Sequence, residues 1–107
     1  MSRTVQEILD ESLLHLDYVQ RYAERDLEDS LVLDAIALRL SAAIDVLNRL
    51  PGAIKDDLFG ATWPLMYGMR NRIAHGYALI DSAMVQVTVT EEIPDLIVTI
   101  TAYRQSL

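Results

Sequence analysis

The chain has 107 residues, no cysteine and a formal net charge of −7. That length is one domain with one modest core, and the lack of cysteine excludes a disulfide framework or a thiolate metal site. Excess acid disfavours broad nucleic-acid binding, because phosphate is repelled, but it does not exclude a locally basic site. Hydrophobic residues make up 51% and charged residues 23%, a globular composition. The start, MSRTVQEILDESLL, is charged and lacks the apolar stretch of a signal peptide. No run of about 18 apolar residues could span a membrane. A cytoplasmic location is therefore expected.

From about Thr4 to Arg25 the spacing of Val5, Ile8, Leu9, Leu13, Leu16, Val19 and Tyr22 predicts an amphipathic helix. His15 within it reads as a satisfied or solvent-edge histidine. The polar stretch RDLEDS, 25–30, offers Asp29 or Ser30 as the cap of a second helix running to about Leu50. Leu33, Ile36, Leu40, Ala43, Leu47 and Leu50 form its apolar stripe, and Pro51-Gly52 is the expected stop. A short connection, 53–60, has room for one helical turn. Thr62 can then cap a further helix with Pro64 in its first turn, where a missing N–H costs nothing.

The tail is ambiguous. Val85, Val87 and Val89 alternate with Gln86, Thr88 and Thr90 as in a strand. Ile80, Met84, Val87 and Glu91 also fit helical spacing, and a lone strand would have no partner. The expectation is a helix from about Ser82 to Glu92. A last helix starts at Pro94 and runs to about Gln105, with Leu96, Ile97, Ile100 and Tyr103 inward. Residues 1–107 thus read as one all-α domain, a compact antiparallel bundle of about four or five helices.

One stretch does not look like ordinary core. RNRIAHGY, 70–77, sits within residues 61–80, which hold two arginines and no acid. At about 100° per residue, Met66, Met69 and Ile73 share the core face. Arg70 and His75 flank a second face centred on Ala74, with Asn71 beside the histidine. Arg72 points elsewhere, as a solvated charge. Gly76 can loosen or cap the helix before Tyr77. Arginine presents a planar fork of donors for phosphate oxygens, and histidine can trade protons near neutrality. Asparagine can orient either. RNA brings its own nucleophile in the 2′-OH, so such a site needs no metal or other cofactor. The plainer reading is that Arg70 pairs with an acid of the second helix, such as Asp45.

Arg70-Asn71-x3-His75-Gly76-Tyr77 resembles the R-x4-H-x-Y signature of the HEPN superfamily. WPLMYGMRNRIAHGY as a whole resembles more narrowly the HepT-like toxins of bacterial and archaeal toxin–antitoxin modules. VTEEIPDLI, 89–97, is similar to that family's tail, and NRLP, 48–51, to its second-helix ending. Relatives often carry Gly-Glu shortly before that Leu-Pro, where this chain has Ile44-Asp45. The resemblance implies a HEPN-like bundle forming a two-fold homodimer through facing motif helices. It implies a metal-independent endoribonuclease acting on RNA through Arg70, Asn71 and His75 of both protomers. It further implies a cognate MNT-domain nucleotidyltransferase antitoxin that adenylylates Tyr77, with higher hetero-oligomers possible and no membrane partner. The alternative is a non-catalytic helical dimer serving as accessory subunit to such a nucleotidyltransferase.

Overall fold

The computed structural model describes residues 3–75 and 82–107. Within them every regular element is helical: α1 (Val5–Tyr22), α2 (Ser30–Leu47), α3 (Gly52–Phe59), α4 (Thr62–His75), α5 (Ser82–Val87), a π-helical turn (Thr88–Glu92) and α6 (Ile93–Gln105). None of these helices is long and apolar enough to cross a membrane. The all-α bundle read from the sequence is the fold observed.

Helix α1 starts where the sequence places a T-x-x-E pattern. The Glu7 N–H donates to Thr4 Oγ1 at 3.1 Å and the Thr4 N–H to Glu7 Oε1 at 3.1 Å, so each residue satisfies an orphan donor of the other. The Thr4 contacts hold the Glu7 carboxyl below its ordinary range. Of the two candidate caps for α2, Asp29 is used: its Oδ1 accepts from the Leu31 N–H at 2.9 Å. Helix α2 is expected to end at Pro51-Gly52, but it stops at Leu47 with Asn48 as C-cap. Pro51 is instead the N-cap of α3, and its carbonyl accepts from the Ile54 and Lys55 N–H groups. The connection therefore holds two helical turns rather than one. Gly60 ends α3 with φ +51°, a backbone that favours glycine. Thr62 is the first residue of α4, and its hydroxyl donates to the Phe59 carbonyl at 2.6 Å rather than accepting from the helix.

Helices α1 and α2 form the tightest seam. Ile8, Leu9, Leu16 and Val19 from α1 meet Ile36, Leu40, Ala43, Ile44 and Leu47 from α2 in the core, joined by Leu50, Phe59, Val89, Ile93 and Ile100. Each such aliphatic side chain contributes about 1.5–3 kcal/mol on burial. At the centre of the seam Ser12, fully buried, donates to the Ala43 carbonyl at 3.2 Å. Small residues on both sides let the backbones approach. Arg104 reaches back to Asp10 at 2.8 Å and ties α6 to α1. His15 is satisfied, as expected: its Nδ1 lies 3.1 Å from Arg39 Nη1, and the Arg39 guanidinium stacks 4.0 Å from the Tyr18 ring centroid. Because arginine can only donate, His15 Nδ1 accepts and the ring is neutral. Burial, with Arg39 nearby, pushes the His15 pKa below its ordinary value of 6.5.

The expected helix over 82–92 is present, but Pro94 does not start a separate one. The chain runs from α5 through the π turn into α6 without a break. The Ile93 N–H bonds the Thr88 carbonyl, five residues back, and this wide turn sits just ahead of the proline, whose ring would crowd a normal α-turn.

Two outcomes follow from this packing. Ser12→Val should lower stability by about 1–3 kcal/mol through overpacking. Ser12→Ala should lose less than about 1.5 kcal/mol, the net worth of one hydrogen bond; denaturant midpoints of the two variants decide. Because folding depresses the His15 pKa, the unfolded chain binds the extra proton as pH falls. The contribution is present above pH 6.5 and is lost as pH drops below it. His15→Gln should flatten that part of the stability–pH profile measured by urea titration.

Candidate active site on the motif helix

Helix α4 carries the motif and rests on α2 and α3. Its core face is the expected one: Met66, Met69 and Ile73 pack against the buried cluster, and Trp63 and Tyr67 join them. None of the helix's described side chains is fully buried. What fixes its azimuth is polar. Arg70 Nη2 donates to Asp45 Oδ2 at 3.0 Å, and Arg70 Nε lies 2.8 Å from Asp45 Oδ1. The Nε–H is not aligned with that oxygen and has no hydrogen-bond acceptor among the described residues. Of the two oxygens, then, one accepts a directed bond and the other makes a charge contact. Side-chain exposures of 24% for Arg70 and 46% for Asp45 place the pair at the rim, where ion pairs are worth up to about 1 kcal/mol.

The plainer reading of Arg70 is thus realised, and Asp45 is its partner. The Ile44-Asp45 step serves two ends: Ile44 is fully buried in the core, while Asp45 turns its carboxylate to the motif. The same guanidinium also donates from Nη1 to Asn71 Oδ1 at 3.1 Å and lies 5.8 Å from the Tyr67 ring centroid. A guanidinium has five N–H donors, and these contacts engage two of them in directed bonds. Arg70 is positioned by a carboxylate, an amide and a ring, and among the described residues its other donors make no directed bond.

The structure brings Arg70 and Asn71 into direct contact. His75 is the last residue of α4, four positions beyond Asn71 and so on the same helical stripe. Tyr77 lies outside the described residues. Arg72 diverges as expected: it is exposed and lines a different feature, a cleft of about 560 Å³ between α4 and the α5–α6 run. That cleft is floored by Leu40, Ile44 and Ile93 and flanked by Met66, Met69 and Met84. Neither Arg70 nor Asn71 lines it, so this cleft lies apart from the Arg70–Asn71 contact. Among the described residues no group of three or more His, Asp or Glu is placed to hold a metal ion.

Sequence reasoning missed the aromatic support. Phe59, Trp63 and Tyr67 follow at intervals of four; the first two rings stack at 5.6 Å between centroids and the second two meet at a tilt, 6.0 Å apart. The signal was the i, i+4, i+8 spacing, hidden because Gly60 and a new helix start fall between Phe59 and Trp63.

No curated protein and no solved structure matches the chain. One family model does, over residues 8–102, which takes in most of α1, the seam, the whole of α4 and most of α6. On that match the chain belongs to the HepT-like family, described as ribonuclease HepT-like.

Proposed function

We propose that the chain is a metal-independent endoribonuclease toxin, cytoplasmic, held inactive by a cognate nucleotidyltransferase antitoxin. The observation that carries the nuclease reading is the Arg70–Asn71 contact on the stripe that leads to His75. Asp45 holds the guanidinium in place before substrate arrives, and such preorganisation is what makes a donor effective toward developing charge. The active form is a two-fold dimer, which brings two motif helices together and supplies two histidines. A closed two-fold is the commonest way to use a special surface of this kind.

In the reaction, one His75 takes the proton of the ribose 2′-OH as that oxygen bonds to phosphorus. The bond from phosphorus to the 5′-oxygen breaks, and the second copy of His75 protonates the leaving oxygen. Arg70 donates to the non-bridging oxygens as charge builds, and Asn71 orients the phosphate or the imidazole. The products are a 2′,3′-cyclic phosphate and a 5′-hydroxyl. In control, the Tyr77 oxygen attacks the α-phosphorus of ATP, pyrophosphate leaves, and the phenolic proton passes to solvent. The attached adenylate brings negative charge beside Arg70 and obstructs the place meant for RNA phosphate. A non-catalytic accessory subunit is the competing reading, and the neutralisation of Arg70 by Asp45 favours it.

Cleavage assays separate the two. His75→Ala and Arg70→Ala should each lower cleavage by about 10²–10⁴-fold, the usual worth of such groups, with circular dichroism unchanged. Cleavage should persist in EDTA. Activity that vanishes with EDTA and returns with magnesium defeats the mechanism, and full activity in His75→Ala removes that residue from it.

Co-expression with the neighbouring nucleotidyltransferase should add whole adenylate masses to the peptide containing Tyr77, and none to Tyr77→Phe. Equal silencing of Tyr77→Phe by the partner would replace covalent control with occlusion.

A further inference from the structure

Beside the motif, α3 and the first half of α4 form a ladder of rings and cations that catalysis does not use. Lys55 Nζ lies 5.3 Å from the Trp63 ring centroid, Trp63 stacks on Phe59 and meets Tyr67 at a tilt of 33°, and Tyr67 lies under the Arg70 guanidinium. Phe59 is buried and belongs to the core. Trp63 and Tyr67 are half-buried and follow one another along α4 on the line that ends at Arg70.

Lys55 is the chain's one lysine. Among the described residues its ammonium contacts no carboxylate, in a chain with 16 acidic residues. Its polar partners are the carbonyl and the side-chain oxygen of Asn48, at 3.2 Å and 3.3 Å. Asp56 and Asp57 follow it in α3, but they project about 100° and 200° round the helix from it. An ammonium held by neutral groups over an indole can exchange them for a phosphate at small cost. Aromatic faces are where unpaired bases stack without sequence preference, and cations beside them track the backbone.

We propose that Lys55, Trp63 and Tyr67 form a substrate subsite that takes single-stranded RNA, with a base stacked on the Trp63–Tyr67 surface and its phosphate on Lys55. The strand then continues to the Arg70 fork, where the scissile phosphate is held. The subsite rests on the nuclease reading for its ligand, but its ring geometry stands without it. A duplex keeps its bases stacked on each other and has none to offer, so the subsite selects single strands.

Trp63 is the only tryptophan, so its fluorescence reports this subsite alone. The full chain carrying His75→Ala is titrated with a short oligouridylate, the same sequence as a duplex, and an abasic ribose-phosphate strand of equal length, while the parent chain is assayed for cleavage. The oligouridylate should quench Trp63, and the duplex and abasic strand should not. Tyr67→Ala should weaken binding roughly 5- to 150-fold, as loss of one stacked base does, while Tyr67→Phe, which keeps the ring, should bind like the parent. Lys55→Gln should reduce the slope of log affinity against log salt by about 0.7, one phosphate contact on a single strand. If Tyr67→Ala fails to fold, Lys55→Gln and the abasic strand still decide. Cleavage by the parent without quenching by the oligouridylate overturns the subsite and leaves the nuclease. Quenching without cleavage does the reverse. Equal quenching by the abasic strand or the duplex overturns base stacking.

Discussion

The placement of α4 turns on Asp45. Helices α1, α2 and α6 hold one another by fully buried aliphatic side chains, and α4 offers none of these among its described residues. Its apolar face, Met66, Met69 and Ile73, is half-covered and made partly of flexible side chains that tolerate sliding. A directed contact from the Asp45 carboxylate to the Arg70 fork adds little stability at such exposure, but it selects one rotation of the helix from several that burial alone would permit. The remaining motif positions follow from that rotation: Asn71 beside Arg70, the His75 backbone one turn further, and Arg72 away toward the cleft.

How far the fold was legible follows from how its core is built. The stripes of α1 and α2 are regular because each helix buries one face against a continuous core, and every residue read as the α2 stripe, from Leu33 to Leu50, is indeed buried. Boundaries were read less well where a residue has two uses. Pro51 can follow one helix or open the next, and the choice depends on Phe59, seven residues beyond Gly52, reaching the core. In the site, Asp45 was visible as a possible partner because it is an acid on the second helix within reach of Arg70. The ring ladder was not, because helical spacing across a glycine turn is not a periodicity that a single-helix reading follows.

The tail shows why a strand-like pattern is not a strand. Val85, Val87 and Val89 alternate with Gln86, Thr88 and Thr90, yet among the described residues the segment has no strand to pair with and stays helical. The threonines adapt by turning their hydroxyls back: Thr88 donates to the Met84 carbonyl at 3.0 Å, Thr90 to the Gln86 carbonyl at 2.6 Å, and Thr99 does the same to Asp95. Such back-bonding competes with the helix's own ladder and tends to bend it. Here it coincides with the π turn before Pro94. The turn absorbs the proline, and Ile93 and Ile100, seven residues apart in α6, meet the core from one helical face.

Gly68 sharpens the contrast between frame and motif helix. Among the described residues a Cβ added there would meet nothing closer than Arg72 Nη1, at 3.9 Å, so their packing does not demand a glycine. In the middle of a helix it is less favourable than alanine by about 0.5–1 kcal/mol. Together with the half-covered methionines and the rim ion pair, it leaves α4 held more weakly than the α1–α2 seam. A helix that displays a guanidinium and an amide cannot also sink them into a core, because burial would cost each of them its solvation. The chain separates the two demands. Stability is concentrated where Ser12 meets Ala43, and the Arg70–Asn71 pair is carried at the margin, where a single carboxylate sets its aim.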